Sequence, residues 1–92
     1  MIGKTYRDLI SIAVEKTLMD MGIEVVETVS QRLKEDYNSN FADCLENPEY
    51  LQRILQEYYG DSYKAIVKKI EDYISEFKTV KSLENFLLVL NK

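Results

Sequence analysis

The chain has 92 residues, 46 % of them apolar and 30 % charged, with a formal net charge of −4. That length supports one core, hiding roughly 60–65 % of the surface the unfolded chain exposes, and excludes a second, so residues 1–92 read as a single domain. The acidic balance works against general nucleic-acid binding, which draws its affinity from neutralised phosphates, and no apolar run reaches the ~18–20 residues that crossing a bilayer takes.

Three glycines and one proline are too few to punctuate the many short strands of a sandwich or barrel, so the class is all-α. The lone cysteine, Cys44, has no disulfide partner within the chain. No basic segment followed by an apolar run and a cleavage site opens the sequence, so a cytoplasmic protein is expected.

In chain order, the first helix is predicted to start at "TYRD", Thr5 capping and Asp8 reaching back. Tyr6, Leu9, Ile10, Ala13, Val14, Thr17 and Met21 follow at three- and four-residue spacing. Gly22 is expected to end it in a left-handed conformation, with Ile23 as an apolar clip. Val26, Val29, Leu33 and Tyr37 predict a second helix, because the period continues through "QRLKEDY" and overrides the strand preference of the valines.

"NPEY" predicts the third helix, with Asn47 as side-chain cap, Pro48 at the first helical position and Glu49 near the positive end of the dipole. Leu51, Ile54, Leu55 and Tyr58 form its apolar face. Gly60 should stop it and Asp61 cap the next, whose apolar face is Tyr63, Ile66, Val67, Ile70, Tyr73, Ile74 and Phe77. "KTVK" breaks that pattern, and Ser82 is expected to cap a short last helix carrying Leu83, Phe86, Leu87 and Leu90.

Between the second and third helices, Asp36, Asn38 and Asn40 alternate as in the first half of a calcium loop. Such a loop needs glycine at its sixth position and glutamate at its twelfth. Phe41 and Asn47 stand there instead, and Glu46 falls one residue early. A structural loop is expected, with Phe41 and Leu45 as apolar plugs.

No metal, cofactor or catalytic residue is expected. The chain has no histidine, which closes imidazole acid–base chemistry and the Ser-His-Asp and Cys-His mechanisms. Cys44 lies beside Asp43 and Glu46, which raise a thiol pKa, and reads as a small hydrophobe. Carboxylate pairs such as Glu71 with Asp72 and Glu24 with Glu27 read as solvated faces, and both interior glycines as helix stops.

Two surfaces could take a partner. Tyr58, Tyr59 and Tyr63 cluster at the Gly60 corner, with Tyr59 expected to face outward and the other two inward. In the last helix Leu88 and Val89 exceed what one buried stripe can hold, a surplus that marks either self-association or a small terminal helix covered on most sides.

Residues 33–77 resemble the archaeal Nitrosopumilus output domain family. The likeness rests on Gly22 after the first helix, Leu33 to Tyr37 at the end of the second, "NPEYL", Tyr59 with Gly60, and "AIVKKI". It covers about residues 5–78 and leaves the last helix outside. The resemblance implies a small archaeal all-α module serving as an output or interaction domain in signalling or regulation, with no catalytic residues to carry over. The polar "DYNSN" loop departs from the family, which places an aliphatic residue there.

The combined expectation is a compact bundle of four main helices plus a short C-terminal one. Its role is read as a non-enzymatic protein-interaction or dimerisation module. Leu88, Val89, Phe86 and Tyr59 are its interface, and a protein or a second copy, as a homodimer, its partner. The alternative is a DNA-associated transcriptional regulator using Lys64, Lys68 and Lys69. It requires these, with Lys78 and Lys81, to form one continuous exposed patch.

Overall fold

The computed structural model describes residues 2–77 and 80–92. Lys78 lies outside them, as do the side chains of Thr5 and Phe77, on which the first cap and one core position were expected. The described residues are all-α and contain no strand: α1 Ile2–Met19, α2 Ile23–Tyr37, α3 Pro48–Tyr59, α4 Tyr63–Tyr73 and α5 Lys81–Leu90, with 3₁₀ turns at Ala42–Leu45, Gly60–Ser62 and Ser75–Phe77.

The apolar period sets which faces meet. Ile10, Ala13, Val14 and Leu18 of α1 join Val26, Val29 and Leu33 of α2, Leu51, Ile54 and Leu55 of α3, and Ile66, Val67 and Ile70 of α4 in one core. Leu83, Phe86, Leu87 and Leu90 of α5 close it. α1 packs on α2, α4 and the Ala42–Leu45 turn, and α3 packs between α2 and α5. The Cα radius of gyration is 11.9 Å, near the ~12 Å expected of a folded chain this long. No described helix is long and apolar enough to cross a membrane.

Several helix ends depart from expectation because backbone atoms do the capping. The helical backbone of α1 begins upstream of Thr5. Asn47 precedes α3 without a side-chain cap bond; its carbonyl instead accepts from the Tyr50 N–H at 3.1 Å. Asp61 falls inside a 3₁₀ turn without a side-chain cap bond, its carbonyl accepting from the Tyr63 N–H. Val80, not Ser82, precedes α5, its carbonyl accepting from Leu83 and Glu84 at 3.1 and 2.9 Å. Gly22 has φ +129°, ψ 147°, a conformation essentially closed to other residues but outside the left-handed helical region. It leads straight into α2, so Ile23 becomes the first residue of that helix and stays 52 % exposed.

Candidate interaction surface

α5 makes one apolar cleft. Residues turn about 100° per step, so with Leu83, Phe86, Leu87 and Leu90 inward, Leu88 points out and is 59 % exposed, while Val89 is half-buried on the flank. On that flank lies an open cleft of about 480 Å³ between α5 and the start of α3. Leu45, Pro48, Phe86 and Val89 supply its apolar lining, and Glu46 and Glu49 carboxylates on its rim. Phe86 itself is fully buried. Of the residues expected at the interface it supports the surface from beneath.

The wall opposite α5 runs from Leu45, the end of the Ala42–Leu45 turn, into the start of α3, and that turn is held by polar contacts at both ends. The Asn40 side-chain carbonyl accepts from the Asp43 N–H at 3.0 Å, and the Asp43 carboxylate accepts from the Asn40 N–H at 3.1 Å. This is the reciprocal arrangement of a capping box. Arg7 of α1 donates to Asp43 at 2.5 Å and also to Glu46. The hydrogen bond from Arg7, then the Asn40 N–H, hold the Asp43 carboxyl below its usual range, and Arg7 is correspondingly raised.

The alternate polar residues of the loop have separate local roles. Asp36 pairs with Arg32 at 2.8 Å. Asn38 ends α2 at φ 52°, its N–H donating to the Lys34 carbonyl at 3.0 Å. Asn40 caps the turn. Among the described residues no three Cys, Asp or Glu side chains converge as metal ligands would. Phe41 and Leu45 are buried plugs. Cys44 is fully buried, and desolvation, followed by the Asp43, Glu46 and Glu49 charges, pushes its thiol up to about 12.

The tyrosine corner is arranged opposite to expectation. Tyr59 is half-buried and packs against the core, whereas Tyr58 is 45 % exposed. The reason is what α2 presents there. Arg32 lies with its guanidinium carbon 5.5 Å from the Tyr58 ring centre, donates to the Tyr58 hydroxyl at 3.1 Å, and pairs with Glu57 at 2.5 Å. Tyr58 therefore covers a polar contact at the end of α3. Tyr63 is buried as expected, but Tyr73, expected inside, is 45 % exposed because α4 ends at that residue.

Lys64, Lys68, Lys69 and Lys81 are all exposed. Lys64 and Lys68 share one edge of α4, and Lys69 lies about 100° round the helix, against Asp20, Asp72 and Tyr73. Acidic Asp20 and Asp72 thus share a cleft with Lys69, and Lys78 lies outside the described residues.

Sequence periodicity also passed over exposed Ile12 and Met19, one heptad apart on the outer face of α1, at 50 % and 45 % exposure. Neither was assigned to a face from the sequence, nor was Leu18, which is fully buried; a count of apolar positions off the core stripe was the available signal. Compared with family models, curated proteins and solved structures, the chain shows no match.

Proposed function

We propose that this chain is a non-enzymatic protein-interaction module that self-associates through α5, a role in keeping with an output domain in archaeal signalling. In this reading α1 to α4 form a bundle, α5 covers its open side, and the domain works in the cytoplasm. The observation that carries it is Leu88, the most exposed of the large apolar side chains named here at 59 %, standing beside the cleft that Val89 lines.

A stable interface takes about 800 Å² from each partner, from a total surface of 5631 Å². α5, with 10 residues, is only about 15 Å long. Its outer face is too small alone, so the contact extends across the cleft, taking in exposed Asn85 and Glu46 beside it. A two-fold arrangement lets one self-complementary patch serve both copies and leaves no end open to polymerise.

The test is sedimentation of wild type and Leu88→Ser/Val89→Ser at matched concentrations. Wild type is expected to dimerise by ~100 µM, a weak-affinity level, and the double variant to stay monomeric. A monomeric wild type, or an equally tight variant dimer, sinks the proposal.

A further inference from the structure

A second cleft, about 210 Å³, opens between α2 and the end of α3. Tyr58 and Tyr59 form one side of it, their ring centres 6.5 Å apart and their planes 56° to each other. Glu24, Val25, Thr28 and Val29 form the other. Two tilted aromatic rings, an apolar floor and one carboxylate thus line one cleft.

An anion finds no cation among the described lining residues, and nearby Arg32 is committed to Asp36, Glu57 and the Tyr58 hydroxyl. A hard metal ion wants six or more oxygens, and the cleft offers one carboxylate and one hydroxyl side chain besides the phenols. A bulky cation with a greasy surface suits all parts together: ring faces attract it through their quadrupole, the valines accept its methyl groups, and Glu24 balances its charge. The Arg32 guanidinium over Tyr58 lies outside the lining, and its charge is offset by Asp36 and Glu57.

We propose that the Tyr58, Tyr59 and Glu24 corner binds a methylated ammonium group, carried either by a methylated lysine of a partner or by a small quaternary amine. The site is independent of the α5 surface. It is shallow and has two rings, so its affinity for the bare head group is weak, with a Kd of about 1 mM.

The experiment is a titration of the labelled protein with tetramethylammonium chloride, followed by amide shifts, with sodium chloride at equal ionic strength as control. Choline and a trimethyllysine peptide, beside the same peptide with plain lysine, then distinguish the two sources. Saturable shifts at residues 24–29 and 58–59, absent with sodium, are expected. Glu24→Gln, on an exposed side chain that leaves the fold alone, and Tyr59→Leu, which keeps apolar bulk against the core, should each weaken binding about two- to fivefold, the contribution of one such contact at an exposed site. Tyr59→Phe should bind as wild type. Shifts that fail to saturate by about 50 mM, far above the expected Kd, overturn the proposal, as do shifts that sodium reproduces or a Glu24→Gln protein that binds unchanged.

Discussion

Thr17 sits among the apolar residues of α1, is fully buried, and its hydroxyl has no hydrogen-bond partner among the described residues. A hydroxyl taken from water without a partner costs about 1–3 kcal/mol by mutational measures. Valine has nearly the same shape and no oxygen. Thr17→Val should therefore raise stability by on the order of 1 kcal/mol, read as a higher urea midpoint at unchanged slope. A lower midpoint would mean that the hydroxyl is satisfied in solution. The period that assigned Thr17 to the buried face was sound, but nothing in the sequence tells whether a buried hydroxyl finds an acceptor.

At the scale of elements, periodicity located the five α-helices of the described residues, because each buries a stripe wide enough to dominate its pattern, but not the 3₁₀ turns. It did not reveal how the ends are capped. Cap rules read side chains, and Asn47 and Val80 serve through carbonyls that every residue possesses. The α1–α2 junction depends instead on Gly22. A Cβ there would meet only Glu24 Oε2, at an ordinary 3.8 Å, so space is no obstacle. The strain lies in φ +129°, and Gly22→Ala should cost about 1–3 kcal/mol, measured as a lower unfolding midpoint with helix content retained. The same limit applies to the α5 cleft. Leu88 is legible from the period of α5 alone, whereas Leu45 and Pro48 reach the cleft from two other segments, and local sequence carries no record of that meeting.

For the whole molecule, Arg7 ties α1 to a turn 36 and 39 residues away, a pairing that no local spacing reveals. Because the folded pKa of Asp43 is lowered, its contribution is complete above the unfolded carboxylate value of about 4. It disappears as pH falls through the folded value. Both partners are about one-third exposed, so screening limits the effect to roughly 1 kcal/mol or less. Asp43→Asn should be less stable than wild type at pH 7. That gap should close in acid, as followed by urea unfolding across the pH range. A gap that persists at low pH would place the stabilisation in the capping hydrogen bonds instead of the charge.

The same Arg7 tether has a further effect on the cleft beside α5. The Ala42–Leu45 turn would ordinarily open easily, as short connecting segments do, at little free-energy cost. Held by Arg7 of α1, capped by Asn40 and plugged into the core by Phe41 and Leu45, it opens at a greater cost than its length suggests. One wall of the cleft is therefore ordered before anything arrives. Whatever docks there loses its own conformational freedom but little of the host's, and more of the contact energy is left to appear as affinity.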